Sequence, residues 1–147
     1  MSEESKNISI GCDHAGYSLK EFLKKKMEEA GFRVTDFGTG SPESVDYPDM
    51  IHPVARSVNE RKFEKAVIIC GSGNGASMVA NKYPNVRAAL CWKPELAALA
   101  RQHNDANIIS LPARFITDDV AWECVRIFLS TDFEGGRHQR RVEKIPF

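Results

Sequence analysis

The chain lacks an apolar run that could span a bilayer, a cysteine pair at metal or redox spacing, and an excess of either charge. Each absence removes a class of function. A membrane span needs roughly 18 or more consecutive apolar residues, and the polar start MSEESKN is not followed by a signal-like core. Membrane insertion and secretion are therefore unsupported, and a cytoplasmic location is expected. Lys plus Arg number 20 and Asp plus Glu number 20. No global field draws the protein to nucleic acid or a membrane surface, and any anion must be met by local groups. Cys12, Cys70, Cys91 and Cys124 are scattered, so neither a disulfide framework nor a zinc site is expected, and buried free thiols are the default.

The nucleotide signatures are missing too. The run G-S-G-N-G-A from Gly71 to Ala76 is not G-x-G-x-x-G, it follows a third strand rather than a first, and no acidic residue ends the next strand to hold a ribose. There is no G-x-x-x-x-G-K-[ST] either.

What is present is an α/β pattern. With 147 residues, 42% of them hydrophobic, the chain suits one domain over residues 1–147, with 1–7 as a polar extension and 131–147 as a C-terminal tail. Ile8 to Ile10 read as a strand that empties into Gly11, Cys12, Asp13, His14, Ala15 and Gly16. Leu19, Phe22, Leu23, Met27 and Ala30 then recur at helical spacing, and Gly31 caps the helix. Lys24, Lys25 and Lys26 are the solvated face of that helix. Phe32 to Phe37 alternates as a second strand, and a Gly, Ser and Pro-rich loop leads to a helix opened by Pro48. Ala66 to Cys70 is a buried third strand that runs into the glycine loop, with a helix expected from Ala76 to Lys82. Val86 to Leu90, a helix over Pro94 to Gln102, Asn107 to Ser110, and a helix capped by Thr117 complete the alternation.

Five strands alternating with helices predict a three-layer, doubly wound, Rossmann-like parallel sheet with a C-terminal helical tail. Strand order is not encoded in the pattern; 2-1-3-4-5 is the expectation adopted. That order has its switch point between strands one and three, where ligands bind at the carboxyl ends, so Asp13 and His14 would lie beside Cys70. Glycine-loop amides suit a negative oxygen.

Six segments together resemble one family. GCDHAG (11–16), DYPD (46–49), ICGSGNG (69–75), ANK (80–82), RQHNDAN (101–107) and EGGRHQRRV (134–142) are similar, in the same order, to the type B ribose-5-phosphate isomerases, whose superfamily includes galactose-6-phosphate isomerase subunits. The resemblance covers nearly the whole chain. It implies aldose-ketose isomerisation of ribose 5-phosphate and ribulose 5-phosphate through an enediolate, with no cofactor or metal. It also implies a homodimer or homotetramer with sites shared between subunits, in which His103 and the arginines act on the partner's Cys70.

The resemblance assigns roles residue by residue. Cys70 matches the catalytic base, Ser72 the hydroxyl that handles protons, and His103 the ring-opening group. Gly71, Gly73, Asn74 and Gly75 form the oxyanion loop, and Asn104 binds the enediolate or a hydroxyl. Asp13 and Tyr47 face the sugar, while His14, Arg114, Arg137 and Arg141 face the phosphate. His138 and Arg140 receive no role, and Arg140 is expected to pair with Glu143. Some relatives place the base on a glutamate further along the loop, where this chain has Ala76 and Ser77; that assigns it to the cysteine branch. The rival readings are a six-carbon (allose or galactose) 6-phosphate isomerase, a non-catalytic sugar-phosphate binding module, and, more remotely, a thiol-redox protein.

Overall fold

The computed structural model describes residues 2–146. Its centre is β3 (Lys65–Cys70), where the five residues after Lys65 are all buried. β1 (Asn7–Cys12) pairs with it in parallel on one side and β5 (Ile108–Pro112) on the other. β2 (Arg33–Asp36) lies outside β1, and β4 (Ala88–Leu90) lies outside β5. All pairings are parallel, so the expected α/β class holds.

The order within the sheet is 2-1-3-5-4, not the expected 2-1-3-4-5. Burial explains the exchange. β5, IISLP, is buried at every position, whereas β4 is only three residues, AAL, each partly exposed. The longer apolar strand takes the interior and the short one the edge, which leaves few unpaired edge groups. The switch point between β1 and β3 survives, because it depends only on β2 lying to one side of β1 and β3 to the other.

Helices cover both faces. α1 (Tyr17–Glu29), α4 (Pro94–Asn104) and α5 (Asp118–Ser130) pack on one face, and α2 (Tyr47–Asn59) with α3 (Asn74–Ala80) on the other. α1 buries Leu19, Leu23 and Met27 at four-residue spacing and ends before Gly31, which adopts a left-handed φ of 97°. Thr117 accepts a hydrogen bond from the Val120 amide and caps α5 as expected. α6 (Arg137–Glu143) forms the C-terminal helical tail and packs on α4. Here Gln139 rather than Arg140 bonds Glu143.

Two boundaries matter for function. α3 starts at Asn74, two residues earlier than expected, so the glycine loop turns into helix at once. α4 continues to Asn104, which puts His103 and Asn104 in its last turn before Asp105 ends it with a left-handed φ of 47°. At the other end of the chain, Asn7 opens β1, and Ser5 and Glu3 bond Glu64 and Arg33. Met1 lies outside the described residues.

One buried ion pair locks the loop after β2. The Lys20 ammonium is wholly buried and donates to Asp36 Oδ2 at 2.6 Å and to the Thr39 carbonyl at 2.6 Å. Lys24 reaches the same carboxylate oxygen at 2.9 Å, and the Gly38 amide reaches the other. Burial pulls the Asp36 carboxyl upward, but the hydrogen bonds from Lys20, Lys24 and Gly38 outweigh it and hold the group below the usual carboxylate range. A carboxylate held low contributes stability above its unfolded value, and that contribution is lost as pH falls through the folded value. Asp36→Asn should therefore cost about 3 kcal/mol at neutral pH, the low end for breaking a buried pair. In urea unfolding, the gap to wild type should close as pH falls below about 4; a gap independent of pH would refute the electrostatic account.

Candidate active site

Parallel strands end at one edge of the sheet, so the residues after β1, β3 and β5 meet there. Asp13 follows β1, Cys70 ends β3, and Arg114 follows β5 in a 3-10 turn. Asp13, Tyr47, Cys70, Gly71, Ser72 and Arg114 line one cavity of about 370 Å³ together with Gly75 and Phe115.

Each of these groups is held by its backbone. The Asp13 amide donates to the Ile69 carbonyl at 3.2 Å, which ties the first loop to β3. Its Oδ1 accepts from the amides of Ala15 and Gly16 at 3.0 and 3.3 Å, while Oδ2 has no partner among the described residues. One carboxylate oxygen is thus structural and the other available. His14 Nδ1 accepts from the Val45 amide at 3.2 Å, which makes Nε2 the donor nitrogen and fastens the loop that leads to Tyr47. His14 is outside the cavity lining.

The glycine loop is shaped by what it touches. Gly73 sits at φ 77°, and a Cβ there would come within 2.4 Å of Leu90 Cδ1, so only glycine fits. Its carbonyl accepts from Ser110 Oγ at 2.9 Å and Ser77 Oγ at 2.8 Å, which turns the peptide's oxygen into the fold. Ser72 Oγ accepts from the Asn74 amide at 3.3 Å. The amides of Ser72, Gly73 and Gly75 have no hydrogen-bond partner among the described residues. The Arg114 amide donates to the Gly71 carbonyl at 3.0 Å, and its guanidinium packs over Gly71.

Cys70 is 5% exposed at the cavity wall, and it is the only one of the four cysteines that lines it. Burial pushes Cys12 and Cys124 up to about 11 and Cys91 to about 12, so these three stay protonated at neutral pH. All four are free.

The remaining predicted residues are elsewhere. His103 and Asn104 end α4, which runs back to the edge where β5 begins, opposite Cys70. Arg137 and Arg141 share a face of α6 beside them, as their four-residue spacing requires. The single chain therefore separates the predicted residues into two groups, one around Cys70 and one around His103.

Two residues left without a role by the sequence join the second group. The His138 ring stacks on His103 with centroids 4.3 Å apart and planes within 12°. Glu134 Oε1 lies 3.9 and 3.8 Å from the Nε2 atoms of His103 and His138. Burial and then the nearby His103 and Arg137 push His138 below the usual imidazole range. The three groups are close enough to be considered for a metal. Yet imidazole lone pairs lie in the ring plane, and two parallel stacked planes cannot both contain one ion, so the arrangement as it stands is not a tetrahedral site. The four-residue spacing of Glu134 and His138 was the available signal for this group. At the Cys70 cavity, Phe115 was missed because an apolar residue after a strand carries no chemical signal.

The family is now decided by comparison. A family model described as Ribose/Galactose Isomerase matches residues 8–145. The chain belongs to the ribose/galactose isomerase family. Within this family, the chain is 41% identical over 140 residues to ribose-5-phosphate isomerase B of Escherichia coli K12, covering 95% of this chain and 94% of that protein. It matches the crystal structure of a Thermotoga maritima ribose 5-phosphate isomerase with a TM-score of 0.93 at 47% identity, over 95% of this chain and 97% of that one. The Mycoplasma genitalium ribose-5-phosphate isomerase B, solved with ribulose-5-phosphate bound, matches with a TM-score of 0.92 at 42% identity, over 95% and 93% of the two chains. The family's α/β sheet is thus the one described above. No helix among the described residues is long and apolar enough to cross a membrane.

Gly75 offers a test of the cavity's packing. A Cβ there would lie 2.5 Å from Tyr47 Cε1. Gly75→Ala should cost about 1 to 3 kcal/mol as an overpacked contact. In the Tyr47→Ala background the same change should cost much less, a coupling that a double-mutant cycle in thermal unfolding measures. Additive effects would show that the tyrosine ring does not press on the loop.

Proposed function

We propose that this member of an isomerase family interconverts ribose 5-phosphate and ribulose 5-phosphate through an enediolate. The observation that carries the reading is the meeting, in one cavity, of the Cys70 thiol, the free oxygen of Asp13 and the unpartnered loop amides. The relatives at 41 to 47% identity support the five-carbon substrate.

The chemistry follows from what the reaction needs. Cys70, as thiolate, takes the proton from C2 of the open-chain aldose and returns it to C1. The negative oxygen formed meanwhile is met by the amides of Ser72, Gly73 and Gly75, each well-aimed donor being worth roughly 3 kcal/mol in comparable sites. The Ser72 hydroxyl moves the proton between O1 and O2, and Asp13 and Tyr47 hold the sugar hydroxyls. Arg114 grips the phosphate with His14 beside it; guanidinium forks suit two phosphate oxygens at once. His103 opens the ring, Asn104 binds the enediolate, and Arg137 and Arg141 complete the phosphate grip, all from a second copy of the chain. Cofactor and metal have no step in this scheme.

Cys70→Ala should lower kcat by about a hundredfold or more while leaving the fold intact. Solvent deuterium should appear at C1 or C2 of sugar phosphate incubated with wild type; no exchange would leave a binding module instead. Higher kcat/KM on allose or galactose 6-phosphate than on ribose 5-phosphate would move the substrate to six carbons. Mixing Cys70→Ala with His103→Ala tests the sharing of sites. Each mutant alone should be strongly impaired, but random re-pairing makes half the dimers mixed with one intact site in two, about a quarter of wild-type activity. No recovery on mixing would confine the site to one chain.

A further inference from the structure

At the edge of the sheet where the strands begin, a second cavity of about 480 Å³ opens below β3 and β5. It shares no residue with the Cys70 cavity. Its walls carry four cations, Arg61, Lys65, Arg87 and Arg101, against the carboxylates of Glu4, Glu64 and Asp105. These charges are not all spoken for. Asp105 is shared by Arg87 and Arg101 at 3.4 and 2.9 Å, and Glu64 accepts from Ser5 at 2.7 Å. Arg101 is further committed to the carbonyls of Thr131 and Ala106. The side chains of Lys65 and Arg61 make no hydrogen bond or ion pair among the described residues.

Lys65 is an awkward residue to keep there. It opens the central strand, partly buried, and burial followed by the charge of Arg101 pushes its ammonium down to about 8. Asp132, Glu64 and Asp105 pull the other way without restoring it. A group depressed in this way is destabilising in its charged form, and an anion placed beside it would reverse that. A bare inorganic anion, however, would face the carboxylates on the same walls. A ligand whose one end is a dianion and whose other end bears hydroxyls satisfies both, since carboxylates accept from hydroxyls while cations hold phosphate. The volume falls within the range of small-molecule sites.

We infer that this second cavity binds a small hydroxylated phosphate monoester, its phosphate on Lys65 and Arg61 and its hydroxyls on the carboxylates of Glu4 and Glu64. Sugar phosphates and nucleoside monophosphates share this chemistry. None of its residues is assigned a step in the proposed isomerisation, although Arg101 and Asp105 flank His103 and Asn104 at the end of α4.

The test is isothermal titration of the full chain at about pH 8 with AMP and, separately, with glucose 6-phosphate. Each titration is run in two buffers of different ionisation enthalpy. Binding of at least one ester with uptake of part of a proton is expected, since the anion recharges Lys65. The tighter ester then names the source, nucleotide or sugar phosphate. Lys65→Met should weaken that binding at least about tenfold and abolish the proton uptake, a change of about 1.4 kcal/mol. Arg61→Gly, which suits the φ of 62° at that turn, should weaken it as well and decides the matter if Lys65→Met does not fold. Ribose 5-phosphate turnover should be unchanged in both variants. Absence of binding by either ester up to about 10 mM, weaker than any useful site, overturns the inference. So does binding that both variants leave untouched.

Discussion

A parallel sheet sends the carboxyl end of every strand out of one edge and the carboxyl end of every returning helix out of the other. The candidate site residues of this molecule are sorted by that constraint. Asp13, Cys70 and Arg114 follow strands and therefore meet, although 101 positions of chain separate the first from the last. His103 and Asn104 end a helix and therefore cannot join them within the chain. The constraint is not a matter of loop flexibility. To bring His103 to Cys70 in one chain would require α4 to reverse, and α4 is fixed by Ala97 and Ala100 buried against the core.

The loops themselves are held by a small number of polar contacts buried under the edge. Lys20, with Asp36 and the Thr39 carbonyl, clamps the loop after β2 onto the end of β1. The Cys12 amide and carbonyl bond Gly38 and Thr39 in the same clasp, immediately before Asp13. On the other side of the switch point, Ser110 and Ser77 both hold the Gly73 carbonyl. A hydrogen bond of this kind nets only about 1 kcal/mol. Its larger effect is directional, because with the Gly73 carbonyl turned inward the loop's neighbouring amides remain without an internal partner.

Much of this was legible in the residues. Helical spacing in Leu19, Leu23 and Met27 and the apolar run before Cys70 gave the elements, and alternation gave the class. Strand order was not legible, because the pattern of strands and helices is the same for 2-1-3-4-5 and 2-1-3-5-4. What distinguishes them is the fuller burial of β5 against the short, half-exposed β4, a comparison that needs the packed structure. A candidate for site chemistry could be named where a residue type is unusual for its place, as Cys70 is before three glycines. His138 was weakly marked for the opposite reason. A histidine among arginines on a helix resembles a solvated face, and beyond its four-residue spacing from Glu134 only the stack on His103 marks it.

The separation of the Cys70 and His103 groups constrains how copies of this chain would have to meet for the proposed reaction. The Cys70 edge of one copy must face the His103 edge of another. In a two-fold pairing, the operation that brings the first pair of edges together brings the second pair together as well, so two complete sites form at once. A head-to-tail contact that did not close would leave an incomplete site at each end of the array. The surface near Cys70 leaves apolar area for a partner to cover in either arrangement. Phe115 is 75% exposed and Tyr47 39% exposed, both lining the cavity. Apolar area of that size is costly in water, at roughly 25 cal/mol per Å², and beside a polar pocket it favours a partner's cover. On the proposed reading, the same contact that buries Phe115 also supplies His103, which links catalytic competence to assembly.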